Sequence, residues 1–243
     1  MSKLIVVWGC PNSGKTTLSV KLAKSIYENY SATVLVILTD NTTPTLPVLF
    51  PNTKADELFS IGVPLSKTEI MQQEVMKNIV TVKGKMNFGF LGYMHGENKF
   101  TYPSYDDKKA KALLTILKNI VDFIIVDCTS SLDNLLITTA VEQADSIIRL
   151  ATPDLKSMSF FSSQLPLYAD PKYKTEQHIM VLNTTEKELY IPIEEAKSHF
   201  KNITFTLPYC RHLLEQNING ELLKAISDKK YNEALKMIAE KVV

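Results

Sequence analysis

Nine residues near the start of the chain, Gly9-Cys10-Pro11-Asn12-Ser13-Gly14-Lys15-Thr16-Thr17, have the spacing G-x-x-x-x-G-K-T. That combination does chemistry on phosphates. Glycines at the two ends let the backbone of Gly9, Cys10, Asn12, Ser13 and Gly14 curl so that its N–H groups face inward around an anion. Lys15 would reach the terminal phosphates of a nucleotide, the Thr16 hydroxyl would ligate Mg²⁺, and Thr17 is counted with the loop among the nucleotide-binding residues. A phosphate loop of this kind needs a carboxylate beside it to anchor the metal, directly or through water. Asp127 closes the apolar run Phe123-Ile124-Ile125-Val126 and is the candidate. Asp40 follows a second apolar run and is placed either to orient a water or help hold Mg²⁺, or simply to begin a turn with Asn41-Thr42-Thr43-Pro44.

These side chains work only if regular elements hold them. Leu4-Ile5-Val6-Val7-Trp8 reads as a buried strand leading into the loop. Leu18, Leu22, Ile26 and Tyr30, four residues apart, mark one face of a helix leaving it. Strand, loop, helix is the order in which a helix N-terminus adds its partial positive charge to the amide donors. Thr33–Leu38 reads as a second strand, so Asp40 is expected at a carboxyl end of the sheet, where open α/β folds bind ligands. Strands and helices alternate along the chain, so one α/β domain over residues 1–243 is expected, with a mainly parallel central sheet and helices on both faces. The strand of the phosphate loop and the strand of Asp127 should be neighbours near its centre.

Composition bounds the alternatives. The chain has 243 residues, of which 45% are hydrophobic, enough for a substantial core. A net charge of +1 gives no general reason to expect nucleic-acid or membrane binding. The opening apolar run is too short for a signal segment, and no stretch approaches the roughly 20 apolar residues of a membrane span. Cys10, Cys128 and Cys210 form no C-x-x-C pair and suit a reducing compartment, so a cytoplasmic location is expected. Cys10 and Cys128 read as small packing residues. The histidines His95, His178, His199 and His212 lack metal-ligand spacing and read as surface or capping residues.

Between Thr45 and Lys85 the pattern is faint. Pro47 and Pro51 interrupt it, and Ser66-Lys67-Thr68-Glu69 predicts a capping box opening a helix. Met86–Leu91 reads as a strand, and Ser104-Tyr105-Asp106-Asp107 as a second capping box ahead of a helix over Lys108–Val121. Near the end, Tyr231, Leu235, Ile238 and Val242 form an apolar stripe opposite Glu233, Lys236 and Glu240. A membrane-surface helix favours a basic polar face with bulky aromatic anchors. This one mixes charges and lacks Phe and Trp, so packing onto the sheet is expected.

Longer motifs give a family resemblance. Asp127-Cys128-Thr129-Ser130-Ser131-Leu132-Asp133-Asn134-Leu135 resembles the D-x-P-P-S-L-x-x-L segment of the ParA/MinD family of P-loop ATPases. Ala144–Ile148, Thr152-Pro153-Asp154, the strand ending at Asn183, and Leu207–Arg211 with Glu215–Gly220 continue it in the family's order. The resemblance implies a P-loop NTPase fold, ATP/ADP with Mg²⁺ as cofactor, and an ATP-dependent homodimer with a protein partner or cargo. It also implies that Asn183 contacts adenine, with Pro208 and Tyr209 flanking the base, and that Asp40 activates water. Asn183 could equally be a strand-end residue satisfying backbone.

The departures from that family bear on activity. Its members carry a second lysine just after the first glycine of the loop, which reaches the partner subunit's phosphates; here that position is Cys10. The first Asp of its D-x-D is Leu38, and its two prolines are Thr129 and Ser130. The chain therefore resembles the degenerate branch that includes the CpaE/TadZ pilus-localisation ATPases. The expected function is an ATP-binding switch that positions or partitions cargo, with slow or partner-dependent hydrolysis, because charge on the transferring phosphoryl is worth orders of magnitude in rate. DNA binding belongs to part of that family and is unsupported by the net charge. Alternatives are a P-loop kinase for a nucleotide or small molecule, and a nucleotide-binding scaffold without turnover. Only Arg149 and Arg211 are available to a kinase lid. Asn183-Thr184-Thr185-Glu186 departs from the guanine-selecting N-K-x-D.

Overall fold

The computed structural model describes residues 2–54, 57–188, 191–200 and 202–243. Its strands are β1 (Lys3–Gly9), β2 (Val34–Leu38), β3 (Val80–Val82), β4 (Lys85–Gly92), β5 (Phe123–Asp127), β6 (Ser146–Ala151), β7 (Ile179–Asn183) and β8 (Ile203–Leu207). They form one sheet in the order β3-β4-β2-β5-β1-β6-β7-β8. All neighbours are parallel except β3 and β4. The strands of the phosphate loop and of Asp127 are adjacent at the centre, with Val7 opposite Asp127. Apart from the half-buried Lys3 at the start of β1, both are buried throughout, and so read as near-continuous apolar runs.

Helices cover both faces. One face carries α1 (Lys15–Tyr30), α2 (Leu46–Leu49), α9 (Arg211–Ile218) and α10 (Lys229–Val242). The other carries α3 (Gly62–Ser66), α4 (Gln72–Lys77), α5 (Asp107–Lys118), α6 (Leu135–Gln143), α7 (Leu155–Gln164) and α8 (Ile193–His199). Alternation along β1 divides the core: Ile5 and Val7 pack under α1, while Leu4, Val6 and Trp8 face the opposite layer. There Trp8 meets the rings of Tyr168, Phe160 and Phe161 at 4.6, 5.5 and 5.6 Å, fixing the end of β1 from which the loop departs.

Several local expectations change. Ser66 ends a helix instead of opening one, and its hydroxyl donates to the Val63 carbonyl. Buried Ile61 and Leu65, one turn apart, place α3 ahead of the polar run that suggested the cap. In the second capping box the cap is Asp106, which accepts from the Lys109 N–H; Ser104 has no capping role, and α5 stops at Lys118. Strand β3 was not anticipated. It is three residues long and joins β4 through Lys83-Gly84, with Gly84 at φ 77°, the glycine-bearing two-residue turn of a hairpin. His178 is a buried residue whose Nε2 lies 2.7 Å from the Tyr173 carbonyl, not a surface one.

The stripe on α10 is buried as expected: Tyr231, Leu235, Ile238 and Val242 are each at most 4% exposed, while Glu233, Lys236 and Glu240 face solvent. The helix packs against α1 as well as β8, so it buttresses the helix that carries the phosphate loop. Replacing Leu235 by Ala removes buried methyl groups from that seam and should cost about 2–4 kcal/mol in chemical denaturation. A loss under about 0.5 kcal/mol would show that α10 is dispensable to the fold.

Candidate nucleotide site

Two features of the backbone shape the loop between β1 and α1. Gly9 lies so close to β6 that a Cβ there would sit 2.1 Å from the Leu150 carbonyl oxygen. Gly14 has φ 87°, a conformation open mainly to glycine, and it precedes α1 without a side-chain cap. Asn12 is also left-handed, at φ 59°. Among the described residues, no protein acceptor meets the N–H groups of Gly14, Lys15, Thr16 and Thr17. A helix start with free donors and no cap is an anion cradle.

Lys15 Nζ donates to the Cys10 carbonyl and to Ser130 Oγ, both at 2.8 Å. Burial holds its pKa below the ordinary lysine value, against the opposing pull of Asp127. Thr16 Oγ1 donates to Asp127 Oδ2 at 2.6 Å and Ser19 Oγ to Asp127 Oδ1 at 3.1 Å. Thr16 and Ser19 are three residues apart and so share the face of α1 turned to β5. Burial pushes the Asp127 carboxyl up to about 6, opposed by the Thr16 hydroxyl, the Lys15 cation and the Ser19 hydroxyl. A carboxylate and a hydroxyl side by side are hard oxygen donors of the kind Mg²⁺ takes. Among the described residues there is no cluster of three or more His, Cys, Asp or Glu side chains suited to a metal, so a metal here would rely on water and phosphate for its other ligands.

These residues line one cleft of about 590 Å³ that includes Pro11, Gly14, Lys15, Thr16, Asp40 and Asp127. Asp40 therefore reaches the site, and it also makes the turn foreseen as the alternative, Oδ1 accepting from the N–H groups of Thr42 and Thr43 at 2.8 Å. A second cleft of about 180 Å³ adjoins it, lined by Asn183, Pro208, Tyr209, Leu213 and Asn217. Asn12, Gly14, Thr17 and Asn217 border both. Asn183 spends its amide nitrogen on the Ser13 carbonyl at 2.8 Å, so it braces the phosphate loop from β7. Its Oδ1 has no protein partner among the described residues.

Cys10 packs, as its size suggested: it is buried at 2% exposure. Its carbonyl belongs to the loop, accepting from Ser13 and Lys15, but its thiol turns inward and donates to Ser157 Oγ at 3.2 Å. A small apolar group there is drawn into the core beneath the cleft. Burial raises the Cys128 thiol well above its ordinary value, in keeping with a packing role. Sequence reasoning passed over Ser19, for which the i, i+3 spacing from Thr16 was the available signal, and included Asn217 only as part of the Glu215–Gly220 resemblance, without a role of its own.

A family model described as an AAA domain matches residues 10–162, more than half of the chain. The chain belongs to the ParA/MinD-type P-loop ATPases. The septum site-determining protein MinD from Pyrococcus horikoshii, solved with Mg-ADP, superposes with TM-score 0.75 at 20% identity, over 100% of this chain and 96% of that one. A ParA family ATPase from Chlorobium tepidum gives TM-score 0.77 at 14% identity, covering 98% of each chain. A putative plasmid partition protein from Borrelia burgdorferi bound to AMPPNP gives 0.71 at 16%, covering 99% of each. No curated protein matches at the sequence level. The eight-stranded, mostly parallel sheet is the P-loop NTPase fold of this family. No helix among the described residues is long and apolar enough to cross a membrane.

Ionised Asp127 is costly to bury, which gives a signed prediction. Its folded pKa, near 6, lies above the ordinary value of 3.8, so the ligand-free protein loses stability as pH rises through that interval. Asp127→Asn should therefore be more stable than wild type without ligand at pH 7.5, by about 2 kcal/mol, with no advantage below pH 4. Denaturation curves at the two pH values check this, and a destabilised variant at pH 7.5 contradicts it.

Proposed function

We propose that this ParA/MinD-type chain is an ATP-binding molecular switch that positions or partitions a cellular cargo, with slow or partner-dependent hydrolysis. The observation that carries the proposal is the convergence of the Lys15 ammonium, the Thr16–Asp127 pair and four free N–H groups on one cleft. In this reading those amides and Lys15 hold the β- and γ-phosphates. Thr16 and Asp127 hold Mg²⁺, which when bound neutralises charge on the phosphates. Asp40 Oδ2 orients the attacking water, its other oxygen being fixed by the Asx turn. Asn183 Oδ1 accepts from the adenine edge while Pro208 and Tyr209 flank the ring. The nucleotide complexes of the Pyrococcus MinD and the Borrelia partition protein support this assignment.

Switching follows from the partners of Lys15. A phosphate competes with Ser130 for the ammonium, so nucleotide binding releases a hydrogen bond to the segment after β5. That segment, rather than the rigid sheet, is where bound nucleotide is reported to a second copy of the chain or to a partner. The kinase alternative needs arginines over the phosphates. Arg149 instead donates to the Thr175 carbonyl, and Arg211 pairs with Glu215 on the exposed side of α9.

Calorimetry should show Mg-ATP and Mg-ADP binding in preference to Mg-GTP, and Lys15→Ala should weaken Mg-ATP at least about tenfold. Unchanged affinity in that variant would remove the basis of the proposal. Single-turnover hydrolysis by the isolated protein should be slow, and light scattering should report a larger species with ATP than without; brisk turnover by a strict monomer would favour a self-sufficient enzyme instead.

A further inference from the structure

Lys21 is a lysine in the body of α1 that is 1% exposed. Among the described residues it has no carboxylate partner within ion-pair distance. Its Nζ donates to Gln216 Oε1 and the Leu222 carbonyl at 2.5 Å and to the Lys224 carbonyl at 2.8 Å. All three acceptors belong to the stretch from the end of α9 to the start of α10. Residues 219–228 there contain neither helix nor strand, so their carbonyls have no ladder to satisfy them. Gln216 ties the stretch to itself, Nε2 donating to the Ala225 carbonyl at 2.8 Å. At its bend Gly220, φ 67°, passes so near α2 that a Cβ would lie 2.8 Å from the Val48 carbonyl oxygen. One buried ammonium thus joins three acceptors of this segment at a single point.

The segment also walls the nucleotide site. Leu222 lines the phosphate cleft, and Asn217, next to Gln216, borders both that cleft and the base pocket. In a nucleotide laid along the two clefts, the sugar lies at their junction. We infer that Lys21 is a positioning residue for nucleotide recognition: by gripping residues 216–224 it holds the Asn217 carboxamide at the junction of the clefts, where it hydrogen-bonds the ribose hydroxyls. The inference rests on the nucleotide-binding reading above. It makes α1 a two-ended device, the free amides at its start taking the phosphates and Lys21, further along, fixing the wall against the sugar.

The test compares ATP with inorganic tripolyphosphate, which shares the phosphates and lacks the sugar and base. Titration calorimetry on the full chain should show Lys21→Met binding Mg-ATP about tenfold more weakly than wild type, with tripolyphosphate affinity within about twofold. Asn217→Ala, an exposed substitution without consequence for folding, should lose ATP affinity to the same extent. The double variant should be no worse than either single one, because the two residues act through one contact. A loss of core packing alone would not separate the two ligands. Wild-type ATP affinity in Lys21→Met, equal losses for ATP and tripolyphosphate, or additive losses in the double variant would each overturn the inference. If Lys21→Met does not fold, an unchanged ATP-to-tripolyphosphate ratio in Asn217→Ala overturns it alone. Wild-type protein that binds neither ligand would instead refute the nucleotide reading itself.

Discussion

A carboxylate buried to 4% exposure needs donors, and Asp127 obtains them from helix α1. That contact depends on sheet order. Only because β5 lies beside β1 does the end of one strand face the first turn of the helix that follows the other. The main chain at Asp127 is held as firmly as its side chain, its carbonyl accepting from both the N–H and the hydroxyl of Thr39 at the end of β2. Three strands therefore meet at one residue. The cost of keeping a charge there is visible in the upward push on its pKa, the pattern expected where a site is arranged for a ligand and not for stability alone.

Helix α1 is where the core and the site become inseparable. Leu18, Leu22 and Ile26 are fully buried against the sheet, while Thr16 and Ser19 face Asp127 and Lys21 grips the segment before α10. The helix can neither turn nor slide without breaking one of these sets. Buttressing by α10 adds to that rigidity, so the free amides at its start stay aimed at the cleft without any cap to hold them. Orienting donors in advance of a ligand spares the reorganisation that binding would otherwise require.

The fold was legible because its strongest signals were long and redundant: fully apolar strands, a phosphate loop in its proper setting, and an amphipathic last helix. Weaker elements failed for local reasons. Ser66 and Ser104 both matched the capping pattern, yet a cap is decided by where apolar anchors seat the helix, and Ile61–Leu65 and Asp106 decided otherwise. Within the site, residues whose role follows from the loop itself could be named in advance. Those whose role depends on distant chain segments could not. Lys21 looks like any solvated helix lysine until a segment about 200 positions later folds over it. Cys10 was assignable to the loop by position and to packing by size, but its hydrogen-bond partner, Ser157 on α7, was not.

The inward turn of the Cys10 thiol bears on turnover. Among the described residues lining the phosphate cleft, Lys15 is the one cation. Its ammonium, hydrogen-bonded to a carbonyl and a hydroxyl, supplies a single point charge, whereas transfer of a phosphoryl group spreads negative charge over several oxygens. A lysine that followed the thiol into its pocket would bury an unpaired charge, so a lysine at position 10 would have to turn toward the cleft instead. On the proposed reading the missing charge must come from outside the chain. An arginine or lysine presented over the cleft by a partner would raise the rate, and hydrolysis would then be timed by the partner's arrival and not by the nucleotide alone.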